Sequence, residues 1–380
     1  MSASLSLYVH VPFCASRCGY CDFNTYTATE LGADVRRDTF HESLIAEISQ
    51  AARRLDDDTI IETVFFGGGT PTLLGADVLN ELLAAIGDNF AMAPDQEVTT
   101  EANPDSVDPR LLAQLVEGGF TRISFGMQSS APHVLATLER THTPGASSAA
   151  AKAARAAGFE HVNLDLIYGT PGETDDDLHR SLDEVLDADV DHVSAYSLIV
   201  EPGTALARRV QRGEIPMPDD DIAADRYELI DDRLTAAGFE WYEVSNWSTP
   251  QGQCRHNMAY WSNANWWGIG PGAHSHLEGR RWWNVKHPRT YAERMGAGLS
   301  PMQEEEHLTP EQRQLERLML GLRMRGGIGQ SDAGCSDDQL ADLIERGLID
   351  PQAAQASDPR LVLTRGGRLL ADQIVRSLAR

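Results

Sequence analysis

Residues 8–23 read YVHVPFCASRCGYCDF, and three of the five cysteines of the chain lie in this stretch. Cys14, Cys18 and Cys21 have the spacing C-x₃-C-x₂-C and directly follow an apolar, β-rich run. Thiolates are soft ligands that suit zinc or iron–sulfur centres. A structural zinc site normally takes four protein ligands, and here only three thiols are close together in sequence. The spacing therefore favours a cluster that is bound by three thiolates.

Three thiolates can hold three irons of a 4Fe–4S cluster and leave the fourth iron open. An open iron can chelate a small molecule through an amine and a carboxylate, as the reductive cleavage of S-adenosylmethionine (SAM) requires. Two alternatives remain for the three cysteines. One is a zinc site completed by a distant histidine or by Cys254, and the other is a set of buried, unreactive thiols.

Short apolar runs alternate with helical patterns along the first 200 residues. We predict strands at residues 5–12, 63–66, 97–101, 122–127, 161–167 and 192–199, and helices around 40–55 and at 78–86, 111–116, 146–157 and 175–186. Repeated strand–helix units predict a parallel sheet covered by helices. Six units are too few for a complete eight-fold barrel. We therefore predict an α/β fold with a partial (β/α)6 TIM-like barrel, whose chemistry lies at the C-terminal ends of its strands.

The pattern changes after residue 238, and all seven tryptophans lie between Trp241 and Trp283. Helical spacing returns after residue 301 and is followed by LVLTRGG at 361–367, which resembles a hairpin, and by a last helix. We predict a barrel at residues 1–238, an aromatic-rich segment packing on it at 239–300, and a C-terminal winged-helix-like domain at 301–380. Ten basic and ten acidic residues balance between Glu311 and Arg380, so this domain lacks the basic surface of a DNA reader.

The whole chain of 380 residues is acidic, with 32 Lys and Arg against 57 Asp and Glu and a formal charge of −25. This charge repels phosphate backbones and anionic lipids, so we expect neither nucleic acid nor a membrane surface as a partner. No apolar run approaches the roughly 20 residues that cross a bilayer. The first residues have no basic region of a signal peptide. We expect a cytoplasmic protein without stable membrane insertion.

The cysteine motif, the GGGTP motif at residues 67–71 and the strand–helix order resemble radical SAM proteins. More narrowly, the chain resembles the oxygen-independent coproporphyrinogen III oxidase group and, within it, the HemW-type haem chaperones. The resemblance runs from Tyr8 to the C-terminus. It implies one 4Fe–4S cluster on Cys14, Cys18 and Cys21, SAM at the open iron, and an electron donor for the cluster.

The resemblance also implies a set of residues around SAM. In the family the GGGTP motif meets the methionine amino group, and polar residues at successive strand ends complete the site. The planar fork of Arg140 suits a carboxylate. The implied set is Tyr8, Tyr20, Gly68, Gly69, Thr70, Glu101, Gln128, Arg140 and Asp165. Without the resemblance, GGGTP could be only a tight turn, the strand-end residues could face solvent, and Arg140 could be a surface residue of a helix.

Two subgroups share this core, and the chain departs from the one that oxidises coproporphyrinogen. That subgroup has a fourth cysteine where this chain has Phe23, and a longer segment before the residue that matches Tyr8. The four carboxylates of coproporphyrinogen III would also meet no evident cationic cluster. We therefore favour a haem chaperone. Its alternative is the dehydrogenase that decarboxylates coproporphyrinogen III to protoporphyrinogen IX, so whether the protein is an enzyme stays open.

Residues 254–261, CRHNMAYW, match the HNxxYW motif of the haem-binding chaperones. His256 supplies an imidazole, the usual axial ligand of haem iron, and Tyr260 and Trp261 add flat apolar surface. Further candidate ligands are Cys254 and the two histidines of GAHSH, His274 and His276. The alternative is an aromatic core in which His256 is hydrogen-bonded. We predict that the chain binds haem through His256 and transfers it to acceptor proteins.

Overall fold

A computed structural model describes residues 4–32 and 35–379. The strands in this part of the chain are β1 (Ser4–Val11), β2 (Phe13–Cys14), β3 (Tyr26–Thr27), β4 (Ile60–Gly68), β5 (Ala91–Ala102), β6 (Arg122–Gln128), β7 (His161–Tyr168), β8 (His192–Ser197), β9 (Glu240–Glu243), β10 (Asn246–Ser248), β11 (Trp266–Ile269), β12 (His274–Leu277), β13 (Arg280–Asn284), β14 (Met302–His307), β15 (Ile328–Gly329) and β16 (Arg360–Leu361).

The α-helices of the same residues cover the sheet and build the C-terminal part. They are α1 (Ala28–Leu31), α2 (Phe40–Ala52), α3 (Ala76–Asn89), α4 (Pro109–Glu117), α5 (Pro132–Thr137), α6 (Ala146–Ala157), α7 (Asp175–Asp187), α8 (Ala205–Gln211), α9 (Asp220–Ala236), α10 (Arg255–Trp261), α11 (Pro288–Gly296), α12 (Pro310–Gly321), α13 (Gln330–Ala333), α14 (Asp337–Glu345), α15 (Pro351–Ala354), α16 (Arg365–Leu369) and α17 (Ala371–Leu378). Among the described residues, no helix is long and apolar enough to cross a bilayer.

Twelve strands form one sheet in the order β14-β13-β12-β11-β1-β4-β5-β6-β7-β8-β10-β9. Its central six strands, β1 and β4 to β8, run parallel, and each connection between them carries at least one helix. These six strands are the predicted ones, so the α/β fold built on six parallel strand–helix units is confirmed. Their C-terminal ends lie at one edge of the sheet, where the predicted site residues follow them.

The core of this sheet forms because apolar side chains repeat with the period of each element. Leu7 and Val9 of β1 are fully buried, and Leu7 pairs with Val64 of β4. Helix α2 buries Leu44 and Ile48, which lie four residues apart on one helical face. The helix predicted around residues 40–55 is therefore confirmed, although it ends at Ala52.

The aromatic-rich segment supplies strands to both edges of the sheet. Strands β9 and β10 extend it beyond β8, whereas β11 pairs in parallel with β1 at the other side and is followed by β12 to β14. Helix α10, which carries the HNxxYW motif, lies between the two groups in the chain. These strands are not among those predicted from the sequence. Strand β14 lies beyond residue 301, and the proposed boundaries at residues 238 and 300 stay a prediction.

The last part of the chain has an apolar cluster of its own, which includes Leu322, Leu343 and Ile349. Its predicted helical character is confirmed, but the hairpin at residues 361–367 is wrong. Strand β16 pairs with the distant β15, and the following residues enter helix α16. The physical reason is a cap: the hydroxyl of Thr364 accepts a hydrogen bond from the backbone N–H of Gly367 and starts the helix there.

Candidate functional site

The loop with the three cysteines is held by backbone hydrogen bonds to two helical segments. The N–H of Gly19 donates to the carbonyl of Leu138 after α5 at 3.0 Å, and the N–H of Leu206 in α8 donates to the carbonyl of Gly19 at 2.7 Å. Cys14, Cys18 and Cys21 are half-buried free thiols. Their loop is therefore a fixed part of the fold.

The electrostatic surroundings of the thiols suit a bound cation. Burial, and to a lesser extent the neighbouring Cys21 and Cys18, raise the pKa of the Cys14 thiol to about 11, although a hydrogen bond with Thr25 lowers it. Burial also raises the pKa of Cys21. A thiol with a raised pKa becomes a thiolate most readily when a metal centre replaces its proton. Three soft, partly shielded sulfur donors on one rigid loop fit an iron–sulfur cluster. Within the described ranges, no three His, Cys, Asp or Glu side chains are placed to hold a single metal ion.

The GGGTP motif packs directly against the cysteine loop. The N–H of Gly69 donates to the carbonyl of Val11 at 2.8 Å, and the N–H of Thr70 donates to the carbonyl of Phe13 at 2.7 Å. A Cβ atom on Gly69 would lie 2.3 Å from the carbonyl oxygen of Phe13 and 3.0 Å from the Sγ of Cys14. Glycine is required here because two backbones and a sulfur atom meet in van der Waals contact.

The parallel strands surround a cavity of about 1030 Å³, whose lining extends from Arg122 and His192 at the start of β6 and β8 to Gln128 and Ser197 at their C-terminal ends. Of the residues predicted from the sequence, this cavity is lined by Tyr8, Tyr20, Cys21, Gly68, Glu101, Gln128, Asp165 and His256. The others lie outside its lining: Cys14, Cys18, Gly69, Thr70 and Arg140. The structure therefore brings predicted residues of β1, β5, β6 and β7 to one chamber beside the cysteine loop.

Arg140 belongs to the same region although it does not line the cavity. Its Nη1 donates to the Sγ of Cys18 at 3.4 Å, and its Nη2 donates to the carbonyl of Gly126 at 2.6 Å. Its Nε is buried without a hydrogen-bond partner, and so is the Oε1 of Gln128, whose backbone has a φ of 67°. Buried polar atoms without partners are costly, and here they indicate room for an absent polar ligand.

Two acids face the cavity floor. Burial, and then the nearby Asp165, raise the pKa of Glu101 to about 8. Burial also raises the pKa of Asp165, whose carboxylate accepts hydrogen bonds from Ser124 at 3.0 Å and Asn163 at 2.7 Å. Glu101 itself accepts one bond, from the N–H of Gly68 at 3.1 Å. A cationic ligand group would offset the free-energy cost of burying both carboxylates, so the floor suits a sulfonium or an ammonium group.

His256 lies in the cavity wall and is almost completely buried. Its Nδ1 is 2.7 Å from the hydroxyl of Thr63, and its Nε2 is 2.9 Å from the hydroxyl of Tyr260. Burial lowers the pKa of the imidazole to about 4, so the ring is neutral at pH 7. The ring also contacts Phe65, at 5.1 Å between centroids. Both ring nitrogens thus have protein partners, and contact of His256 with haem stays a prediction.

The other candidate ligands have different surroundings. Cys254 is buried, lines the cavity and lies 3.4 Å from a carboxylate oxygen of Glu97. His276 is buried outside the cavity lining, with Nδ1 near the carbonyl of Ala264 and Nε2 near the N–H of Gly279. His274, in contrast, is exposed and lines the cavity.

Glu97, which anchors the helix that carries His256, is not among the residues predicted from the sequence. Its carboxylate accepts hydrogen bonds from the N–H groups of Arg255 at 3.1 Å and His256 at 3.0 Å, and from the Nε of Arg122 at 3.1 Å. A signal for it was present in the sequence. Glu97, Thr99 and Glu101 occupy every second position of a strand, and such residues share one face of the sheet.

Comparisons with known proteins agree with this arrangement. The model of the radical SAM superfamily matches residues 8–185. "Heme chaperone HemW" of Mycobacterium tuberculosis (strain ATCC 25618 / H37Rv) is 54% identical over 373 residues, which are 98% of this chain and 94% of that protein. The protein with the same name in Bacillus subtilis (strain 168) is 33% identical over 381 residues and covers 97% of each chain.

A solved structure has the same fold over nearly the whole chain. It is coproporphyrinogen III oxidase (HemN) from Escherichia coli, described as a radical SAM enzyme, with a TM-score of 0.84 and 23% sequence identity. The match covers 99% of this chain and 90% of that one. At this identity the likeness extends to the architecture alone.

Proposed function

This chain belongs to the HemW family within the radical SAM superfamily, and on this basis we propose that it binds haem and transfers it to acceptor proteins. The observation that carries the proposal is the cavity of about 1030 Å³ beside the cysteine loop. It reaches the upper end of the about 300–1,000 Å³ typical of small-molecule and cofactor sites. Its wall combines the His256 imidazole with the rings of Tyr260, Phe65 and Trp266. Flat apolar surface and a neutral imidazole suit a haem macrocycle and its iron.

We propose that Cys14, Cys18 and Cys21 hold a 4Fe–4S cluster and that SAM binds beside it. A reduced cluster of this kind supplies an electron to SAM, so an electron donor is a further proposed partner. The chain's own residues would fix the SAM molecule. Glycines of the GGGTP motif allow close approach, and the fork of Arg140 suits a carboxylate.

The acids at the cavity floor would favour the cationic end of SAM. A cationic ligand would lower the raised pKa of Glu101 and of Asp165, so both acids would carry negative charge beside it, and Tyr8, Tyr20 and Gln128 complete the polar wall. Buried carboxylates without cationic partners are unfavourable, so a positively charged ligand gains from both. Phe23 stands where the dehydrogenase subgroup has a fourth cysteine, which supports transfer of haem rather than oxidation of coproporphyrinogen. We propose that the protein acts in the cytoplasm.

Direct contact of His256 with haem is part of the proposal. An iron bound through Nε2 would replace the hydrogen bond with Tyr260, while the contact of Nδ1 with Thr63 could orient the ring. His256→Ala should therefore weaken haem binding, whereas His307→Ala, an exposed histidine outside the cavity lining, should not.

The proposal is tested with the full chain after anaerobic reconstitution with iron and sulfide. We expect about one haem per chain in a titration, and movement of that haem to the apo form of a haem protein added afterwards. The same sample is incubated with SAM, a reductant and coproporphyrinogen III. Catalytic formation of protoporphyrinogen would contradict the chaperone proposal, and so would the absence of haem binding.

A further inference from the structure

The outer part of the cavity has an unusually apolar rim. Phe23 of the cysteine loop is 61% exposed and Ile199 after β8 is 65% exposed, and both line the cavity. Large apolar side chains that gather at an opening indicate a surface for a ligand or a partner. Asp22 and Glu201 also lie among the lining residues. Because Phe23 and Ile199 are exposed in the cavity lining, a flat ligand can contact apolar side chains at the rim.

His274 places an accessible imidazole at this rim. The residue is exposed at the start of β12, and its ring stacks on Trp283 with 5.6 Å between centroids and 25° between planes. Across residues 4–32 and 35–379, neither of its ring nitrogens has a hydrogen-bond partner, in contrast to those of His256 and His276. Partial burial, and then Lys286 and Arg281, lower its pKa, so the imidazole is neutral at pH 7 and its lone pair is available.

Cationic side chains lie beside this histidine although the chain as a whole is acidic. Lys286 is one of only two lysines in a chain of formal charge −25, and it is exposed in the cavity lining. It forms no ion pair with a carboxylate of the described part of the chain. Arg17 also lines the cavity, where its side chain is 43% exposed and pairs with Glu30 at 3.3 Å. The rim thus offers two cations within reach of solvent.

One side chain links these groups to the cysteine loop. The Nδ2 of Asn24 donates to the carbonyl of Pro271 at 3.0 Å and to the carbonyl of Lys286 at 2.8 Å. A Cβ atom on Gly272 would lie 2.7 Å from the same nitrogen, so the backbone of Gly272 is in close contact with the Asn24 side chain. The segment that leads to His274, the segment of Lys286 and the loop of Phe23 are therefore held together as one surface.

We propose that His274 supplies an imidazole ligand to the iron of haem bound at this rim, and that Lys286 pairs with a haem propionate. The inference rests on the proposed function and adds residues to it. Haem has a flat apolar macrocycle, two propionates and an iron that accepts nitrogen ligands. The rim offers apolar side chains, the Lys286 ammonium, which has no carboxylate partner among the described residues, and an imidazole without a hydrogen-bond partner. The imidazole donates its lone pair to the iron in place of a water molecule, with no change of oxidation state.

The structure separates the roles of His256 and His274, two of the four histidines that line the cavity. His256 is buried and already bonded through both ring nitrogens, so iron binding there requires the loss of an existing hydrogen bond. The ring nitrogens of His274 form no hydrogen bond with a described residue, so iron binding there breaks none. We therefore assign His274 to the rim, where haem enters and leaves, and His256 to the inner wall.

The test is a titration of the anaerobically reconstituted full chain with ferric haem, followed by absorption and electron paramagnetic resonance. We expect His274→Ala to weaken binding by about tenfold or more, as loss of one ligand bond of about 1.4 kcal/mol would. The spectrum should lose its imidazole-ligated form and regain it when free imidazole is added. His307→Ala is the matched control. A His274→Ala variant with unchanged affinity and spectrum would overturn the inference.

The failure of this inference and of the proposed function give different results. If the wild-type chain binds no haem, both fail. If wild type and His274→Ala bind haem equally and only His256→Ala is impaired, the proposed function stands and the assignment of His274 is wrong.

Lys286 is tested with two probes, haem and its dimethyl ester, in which the propionates are uncharged. We expect Lys286→Met to bind haem about two- to fivefold more weakly, the range of an exposed ion pair. The ester should bind equally to wild type and to the variant. An equal loss for both probes, or no loss for haem, would show that no propionate pairs with Lys286.

Discussion

The carboxylate of Glu97 accepts a hydrogen bond from the backbone N–H of His256 at 3.0 Å. The first N–H groups of a helix have no partner within the helix, and Glu97 satisfies those of Arg255 and His256 at the start of α10. The guanidinium of Arg122 lies at the same carboxylate, 3.1 Å away, and also donates to the carbonyl of Gln253 at 2.9 Å. One ion pair inside the barrel therefore positions the helix that carries the HNxxYW motif.

We expect Glu97→Gln to destabilise the protein and to weaken haem binding. Although burial raises the pKa of Glu97, Arg122 and the two helix N–H groups lower it more, so the residue is anionic at pH 7. Removal of the charge leaves Arg122 buried without a counter-ion, which costs about 3–5 kcal/mol. Urea unfolding measures the loss of stability, and a haem titration measures the effect on the helix.

The matched control is Asp95→Asn, two residues earlier on the same strand. Asp95 pairs with Arg255 at 3.0 Å but is 80% exposed, so its loss should cost at most about 1 kcal/mol. If Glu97→Gln is no more destabilising than this control, then the ion pair does not anchor α10.

The sequence was sufficient to predict the central sheet. Strands β1 and β4 to β8 are long apolar runs separated by helices, and local patterns of this kind survive in the fold. Strands β9 to β14 were missed because they are short and rich in Trp, His and Arg. Their pairing is also distant: Trp266 pairs with Ser6 at the far end of the chain. Such pairs have no local signal.

The motif around His256 could be identified in sequence, but its hydrogen bonds could not. Its Nδ1 is bonded to Thr63, which lies 193 residues away, and only the folded sheet brings the two together. For the same reason the exposed state of His274 and the buried state of His276 could not be separated from the string GAHSH. The two histidines lie two residues apart on β12. The side chain of His274 lines the cavity, whereas that of His276 packs between backbone groups.

We expect Cys18→Ala to lose most of the iron that the wild-type chain takes up. After anaerobic reconstitution with iron and sulfide, wild type should contain about four irons per chain and show the broad brown absorption of a 4Fe–4S cluster. Cys18 is half-buried, and Arg140 donates to its sulfur at 3.4 Å. Iron and sulfide analysis measures the number of irons per chain directly.

Cys335→Ala is the control for this experiment. Cys335 is a buried free thiol in the apolar cluster of the C-terminal part, far from the cysteine loop in sequence. Its loss should leave the iron content unchanged. A Cys18→Ala variant that retains a complete cluster, or wild type with stoichiometric zinc instead of iron, would contradict the assignment of the three thiols.

We expect Glu47 to make stability fall as the pH rises from about 4.5 to about 7. Burial raises its pKa from the ordinary 4.5 to about 7, although Tyr291, Gly270 and Asn284 donate hydrogen bonds to it. Between these two values the folded state binds the proton more tightly than the unfolded chain, so deprotonation works against folding. This pKa shift lowers the free energy of unfolding by about 3 kcal/mol, and the loss is complete above pH 7.

The pH prediction is measured by urea unfolding of wild type and Glu47→Gln between pH 4.5 and 8. The variant cannot lose this proton, so wild type should become less stable relative to it by about 3 kcal/mol across the range. Glu62→Gln, an exposed glutamate of β4, is the control and should follow wild type at every pH. Parallel curves for wild type and Glu47→Gln would mean that Glu47 titrates as it does in the unfolded chain.

We expect Gly69→Ala to disturb the cysteine loop more than the rest of the fold. The added Cβ would lie 2.3 Å from the carbonyl oxygen of Phe13 and 3.0 Å from the sulfur of Cys14, and the first atom belongs to the backbone and cannot rotate away. The loop must move to relieve this overlap, at about 1–3 kcal/mol for an overpacked site. Iron content after reconstitution should fall. Gly87→Ala is the control: a Cβ there meets nothing within 4 Å, and in helix α3 it should stabilise by about 0.5–1 kcal/mol. If Gly69→Ala binds as much iron as Gly87→Ala, then the close packing of the GGGTP motif on the cysteine loop does not determine the geometry of the three thiols.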